Sequence, residues 1–425
     1  MPSGALVQLV SKGIQDVSLI GNPTTTFFKF VYKKHTNFAI EAIRQSLNGT
    51  DDFGHKLTCV LNKEGGDLAH NMYLEISLPT IDQTQQGADW ISYANGVANT
   101  LVKSVELEIG GVSIDRHYSE WLDIWGELNV DANKRESYDE MVGNYASDIA
   151  LKYSAKSSTS YTQFKRYYAP MRFWFNRSIG SALPLVALQY HDVKFNIELR
   201  SLAEMIRSDV VLNTDLLTDT EGAPLKIKQC TFWADYIYLD KEERTFIANS
   251  PHEYLIDQVQ FNGAEGIAAF TSSTTLDLDI NNPVKAIYWI FRNEQYLVPV
   301  TTTGNHQLTY EAVNGSDTFE TFKIQLNNND RFEARYANYF RLVQQIEHCT
   351  SASRKHIYVY SFAINASSDQ PSGTCDFSKI ATSLINFTFD NKSQTANGAV
   401  QLNLYAVNYN IFQIKNGVGN KLFSN

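Results

Sequence analysis

At 425 residues this chain is longer than one hydrophobic core usually organises, which predicts two domains of roughly 200 residues each. Hydrophobic residues make up 43% and charged residues 19%, the balance of a globular rather than a disordered chain, and 24 Phe with 23 Tyr favour strands over helices. A formal net charge of −10 argues against direct nucleic-acid binding, which relies on clustered Lys and Arg. No apolar run reaches the roughly 20 residues that span a bilayer, the Met1-Pro-Ser-Gly start lacks a signal-peptide pattern, and Pro2 stands where N-myristoylation needs glycine. A soluble, non-secreted chain is expected, with membrane association only through a partner. Cys59, Cys230, Cys349 and Cys375 show no CxxC spacing and read as reduced, buried thiols.

Residues 1–26 mix Gly, Ser and short apolar stretches and predict an N-terminal arm that docks on a neighbour or on its own domain. The run 29–34 sets three lysines among aromatics and reads as a solvated strand edge. A first β domain is predicted over residues 27–205, with strands at 38–46, 57–61, 72–78, 101–109, 172–175 and 193–199. Glu106-Leu-Glu-Ile109 and Lys194-Phe-Asn-Ile-Glu-Leu199 alternate with the period of a half-buried strand, and Gly110-Gly111 predicts a hairpin turn. Residues 206–224 are rich in Asp and Thr, close on Gly222 and Pro224, and read as a linker. A second β domain follows over 225–425, with strands at 228–239, 254–261, 284–291, 322–326, 357–364, 384–389 and 400–414 and one helix at 241–248.

The stretches 107–125 and 324–343 share a plan of strand, small-residue turn, Asp-Arg and aromatic-studded helix, with Asp115-Arg116 matching Asp330-Arg331. In the first helix Trp121, Leu122, Trp125 and Leu128 share one face, while Glu120, Asp123 and Glu127 gather opposite and are expected in solvent. Tyr336, Tyr339, Phe340 and Val343 predict a similar apolar stripe in the second. The expected fold is all-β: two consecutive eight-stranded antiparallel jelly rolls, a double jelly roll arising by duplication, with a few short helices in loops.

Chemistry is sparse. There is no phosphate loop, zinc motif or nucleophile elbow, and the nine histidines contain no HxH pair. His191 and Asp192, if on a strand, point to opposite faces and make no dyad. No catalytic, cofactor-binding or metal-ligating residue is assigned, no cofactor is expected, and the chain does not read as an enzyme. Two alternatives fit the same architecture, a double-jelly-roll glycan-acting enzyme or a carbohydrate-binding surface module. Among six NxS/T sequons, Asn314 and Asn365 lie in loop-like stretches and are the candidate glycosylation sites, whereas Asn176 and Asn386 sit in or beside strands.

Three segments carry a resemblance: the run from Gly21-Asn-Pro to Phe27-Phe-Lys-Phe-Val-Tyr-Lys-Lys-His-Thr-Asn-Phe-Ala-Ile-Glu41, the motif Gln370-Pro-Ser-Gly-Thr-Cys-Asp-Phe-Ser378, and the terminal stretch 405–425. Together they resemble the major capsid protein of nucleocytoplasmic large DNA viruses, in its algal-virus (phycodnavirus) or mimivirus-like branch. Lys33-Lys34-His35 and Asp376 are mild departures from the family pattern. The resemblance implies a homotrimer acting as a pseudo-hexagonal capsomer, tiling the icosahedral outer shell of a double-stranded DNA virion assembled in the host cytoplasm. Its implied partners are neighbouring capsomers, minor capsid or cement proteins, and a host receptor reached through outer loops at 131–167 and 293–321. Nucleic acid is not contacted directly, and the membrane only through minor proteins. Phe27, Phe28, Phe30, Tyr32, Tyr405 and Tyr409 are implied in domain and subunit packing.

Overall fold

The computed structural model of the chain describes residues 3–82, 85–145, 164–297, 307–312, 315–389 and 398–423. It comprises two units, Met1–Asn37 and Phe38–Asn425. In the first, helices Ser3–Val10 and Val17–Ile20 flank a short turn, Ile14–Asp16, where the Asp16 carboxylate accepts a hydrogen bond from the Gly13 amide at 2.8 Å. None of its described residues is buried. The run 29–34 is not a strand edge, because strand pairing needs a ladder partner and the first ladder begins at Phe38, opposite Leu239.

The second unit opens with β1 Phe38–Gln45, β2 Leu47–Gly49, β3 Lys56–Val60, β4 Leu68–Pro79, β5 Ile91–Tyr93, β6 Val102–Ile109, β7 Val112–Tyr118, β8 Phe164–Pro170, β9 Leu183–Pro184, β10 Val193–Leu199, β11 Ile206–Ser208 and β12 Gln229–Leu239. Two antiparallel sheets, ordered β1-β12-β4-β8 and β2-β3-β10-β6-β7, pack face to face, with β9 added beside β4. β10 buries every second residue, and its Phe195 meets Phe232 of the opposite sheet at 5.1 Å between ring centroids. Gly110 and Gly111 take φ of 61° and 84° and turn β6 into β7, as their sequence predicts.

Three expectations are corrected. The strand at 228–239, assigned above to the second half, is β12, which pairs with both β1 and β4. Its buried side chains Cys230, Phe232, Ala234 and Tyr236 supply the inner face between those strands, which neighbours in sequence could not. The segment 206–224 is not a bare linker: β11 pairs with β5, and Ile206, Leu212 and Leu217 pack with Ile81, Ile91 and Leu225 in a small core of their own. The stretch 172–175 carries the short 3-10 turn Trp174–Asn176 rather than a strand.

The second half comprises β13 His252–Ile267, β14 Ser273–Asp277, β15 Pro283–Asn293, β16 Thr321–Leu326, β17 Asn329–Asp330, β18 Arg335–Tyr336, β19 Tyr358–Ser361, β20 Cys375–Asp376, β21 Ser383–Thr388, β22 Val400–Lys415 and β23 Val418–Lys421. One sheet runs β13-β22-β15-β19 and carries β20 and β23; the other runs β14-β21-β16-β17 and carries β18. Trp289 of β15 lies 4.5 Å from Phe322 of β16 and 5.4 Å from Phe340, at the centre of the core between them. The β16-β17 turn uses Asn327 and Asn328 at φ of 48° and 63°, the same positive-φ device as Gly110-Gly111, so the shared hairpin of the two halves is real. Two antiparallel sandwiches in tandem make the double jelly roll expected above.

The halves meet along β15. Ile287, Trp289 and Phe291 face the second core, while Ala286, Tyr288 and Ile290 face the other way, onto Trp121, Ile124 and Leu128 of the helix Ser119–Asn129. A strand covered on both faces needs an unbroken apolar run, and 284–291 is nearly that.

Candidate assembly surfaces

The helix Ser119–Asn129 projects from β7 of the first sandwich onto the second, and its acidic face is not in solvent. Glu120, Asp123 and Glu127 are buried, because the surface they meet is cationic. Glu120 pairs with Arg292 at 2.8 Å and Arg200 at 3.2 Å. Asp123 accepts from Lys355 Nζ at 2.7 Å and from the Tyr310 hydroxyl at 2.9 Å. Glu127 takes Arg135 at 2.5 Å and Arg354 at 3.0 Å, and Arg354 reaches on to Asp139 at 2.7 Å. Of these cations Arg292, Arg354 and Lys355 belong to the second half, so the face is an ionic seam between sandwiches.

Burial alone would push the Glu127 carboxyl up, but Lys355, Arg354 and Arg135 outweigh it and hold it at about 2. Glu120 is likewise lowered, with burial opposed by Arg292 and Arg200. Asp123 goes the other way, because burial and the adjacent Glu127 together exceed the pull of Lys355. A second buried group reinforces the seam: Asp257 of β13 binds Lys285 at 2.6 Å and also Arg177 of the first half. Burial lowers the Lys285 ammonium, and Arg177 adds to that effect while Asp257 opposes it. The lone lysine within the apolar run 284–291 was the readable sign of this pair.

The six aromatics singled out by resemblance divide in two. Phe27, Phe28, Phe30 and Tyr32 are exposed, Phe28 by 98%. Tyr405 and Tyr409 are buried inside the chain. The Tyr405 ring stacks at 5.0 Å on Phe261 and its hydroxyl approaches Glu120 at 3.4 Å; Tyr409 lies 5.4 Å from Lys285 Nζ. These two serve the junction of the halves. The stripe expected on the second helix is also divided: Phe340 is buried, but Tyr336 lies in β18 and is exposed, as is Val343, because the first turn has π rather than α geometry and shifts the facing.

Asn365 is exposed, and its Oδ1 accepts from the Ser367 and Ser368 amides at 3.0 and 3.1 Å. Asn314 lies outside the described residues. Asn176 donates to the His70 carbonyl and Asn386 to Gln325 Oε1 at 3.2 Å, both within structure. His191 contacts the Gly419 carbonyl at 3.0 Å while Asp192 pairs with Lys63 at 2.9 Å. The four cysteines are free; burial pushes Cys59, Cys230 and Cys349 up to about 12. No described helix is long and apolar enough to cross a membrane.

Tandem jelly rolls welded by a buried helix, preceded in the chain by a bare apolar arm, define a structural protein made to pack against others. The chain belongs to the family of major capsid proteins of large eukaryotic DNA viruses: residues 26–240 match the family model for the major capsid protein N-terminus, and residues 243–420 that for the large eukaryotic DNA virus major capsid protein. It is 36% identical to the major capsid protein of Pyramimonas orientalis virus over 99% of this chain and all of that one. It is 34% identical to that of Paramecium bursaria Chlorella virus 1 over the full length of both. The solved PBCV-1 VP54, 32% identical, covers 94% of this chain and 100% of its own with a TM-score of 0.76. The Faustovirus major capsid protein shares the fold at 12% identity, with a TM-score of 0.72 over 97% of this chain and 96% of that one.

Proposed function

We propose that three copies of this chain close into a ring of six jelly rolls, a near-hexagonal tile, and that such tiles build the icosahedral shell of a large DNA virus. The family membership supplies the shell. What carries the trimer is the exposed arm: a run of Phe27, Phe28, Phe30 and Tyr32 with no buried residue is a large apolar surface for a lone chain to leave in water, and neighbouring copies are its natural cover. The ionic seam supports the tile reading, because it makes the two sandwiches one rigid block that can present fixed edges.

Within this reading the division between the repeated domains falls in the helix Lys241–Asn249, after β12 completes the first sheet. Minor capsid proteins at the inner side, and a host receptor reached through the stretches 131–167 and 293–321, parts of which (146–163, 298–306 and 313–314) lie outside the described residues, complete the set of partners. Asn365 is a glycan acceptor, since it is exposed and its Oδ1 is held by a local turn. Intact mass before and after enzymatic deglycosylation checks this: the native chain should lose mass and Asn365→Gln should lose less.

The test of the tile is light scattering after size exclusion, with negative-stain imaging of the same fraction. A mass of three chains with hexagonal outlines is expected. A monodisperse 48.1 kDa species that forms no such particles overturns the reading.

A further inference from the structure

The helix at residues 339–348, π over Tyr339–Val343 and α over Gln344–His348, anchors on the second core through Phe340 and yet presents aliphatic side chains to solvent. Its inward face carries Phe340 together with two polar residues, Gln344 and Gln345, all buried; Gln344 Oε1 accepts from the Ser361 amide at 3.1 Å, and Gln345 Nε2 donates to the Ile357 carbonyl at 2.6 Å. Its outward face carries Leu342, Val343 and Ile346, the last 73% exposed. Ile364, 77% exposed, flanks the C-terminal end, where His348 Nδ1 meets the Ile364 carbonyl at 2.9 Å. A helix that serves only its own fold puts the apolar side on the core. Four aliphatics facing water beside Glu347 mark a surface built to be covered.

The chain holds a second uncovered set of complementary chemistry. Residues 1–37 contain four lysines and one aspartate, a net of +3, which leaves −13 for the rest of a chain whose total is −10. Lys29, Lys33 and Lys34 interleave with Phe27, Phe28, Phe30 and Tyr32, all exposed.

We infer that the outward face of helix 339–348 is the seat of residues 27–34 from a second copy of this chain. The inference rests on the trimer reading above and specifies its contact. A closed three-membered ring needs a head-to-tail contact between two unlike patches, because a self-complementary patch closes a pair and stops. An aromatic, basic donor ahead of the first sandwich and an aliphatic acceptor rimmed by Glu347 on the second are such an unlike pair. The rings cover the aliphatics, and the lysines meet Glu347 on a body that carries the opposite net charge.

The full chain tests this. The wild type should elute at the mass of three chains, while the double variant Leu342→Asp/Ile346→Asp and the triple variant Phe27→Ser/Phe28→Ser/Phe30→Ser should both elute as one chain with unchanged circular dichroism, since every altered side chain is exposed. The paired variant Phe28→Cys/Ile346→Cys, mildly oxidised, should give covalent species of two and three chains on a denaturing gel that neither single variant gives. A wild-type trimer whose surface variants stay trimeric, or whose cysteine pair links only within one chain, overturns the inference and leaves the trimer standing. A wild type that is monomeric at every concentration overturns the trimer, and the inference with it.

Discussion

Glu127 shows how one side chain couples charge to stability. Its carboxyl sits at about 2 in the fold against an ordinary value of 4.5, so the native state holds the anion more tightly than the unfolded chain does. A depressed carboxylate contributes stability that is complete above about pH 4.5 and is lost as pH falls through about 2, worth about 3 kcal/mol across that window. Glu127→Gln should therefore flatten the acid limb of a stability-against-pH curve measured by denaturant melts. At neutral pH the same variant should lose about 3–5 kcal/mol, because Arg135 is left in the seam without its carboxylate. An unchanged acid limb would show that the seam does not titrate as its geometry requires.

Turns and helices obey the same logic one step up. The β6-β7 hairpin depends on Gly110 at φ 61°, and a Cβ there would stand 2.3 Å from the His191 ring. Gly110→Val meets both a left-handed backbone and a blocked site, and thermal melts should show a loss of about 1–3 kcal/mol. Gly111, with φ 84° and open space around it, separates the two causes: Gly111→Ala should cost only the backbone share, about 1 kcal/mol. The helix Ser119–Asn129 belongs to one sandwich by connectivity and to the other by packing, which makes it the element that decides how the two move together.

For the assembled chain the consequence is cooperative unfolding. Trp121 lies 5.3 Å from Tyr288 and 6.0 Å from Tyr405, across the junction. Trp121→Ala should cost about 3–5 kcal/mol and split a single calorimetric transition into two, as each sandwich then melts on its own core. Trp289→Ala, inside the second core, should cost as much but lower the second sandwich selectively. If Trp121→Ala leaves one sharp transition, the junction is not what joins the halves.

Local features are legible in the amino-acid sequence by itself. Period-two alternation at 106–109 and 194–199, the Gly110-Gly111 turn and the apolar run 284–291 each depend on neighbours in sequence, and each appears where its pattern puts it. The acidic spacing of Glu120, Asp123 and Glu127 is the same whether the facing surface is water or Arg292 and Lys355, so only packing could tell a solvated face from a buried seam. Likewise β12 reads as a strand anywhere, but its place between β1 and β4 is a long-range choice made by which inner face it completes. Element type follows from backbone and side-chain periodicity over a few residues; partnership follows from what two distant surfaces exclude together, and no single stretch of chain contains that information.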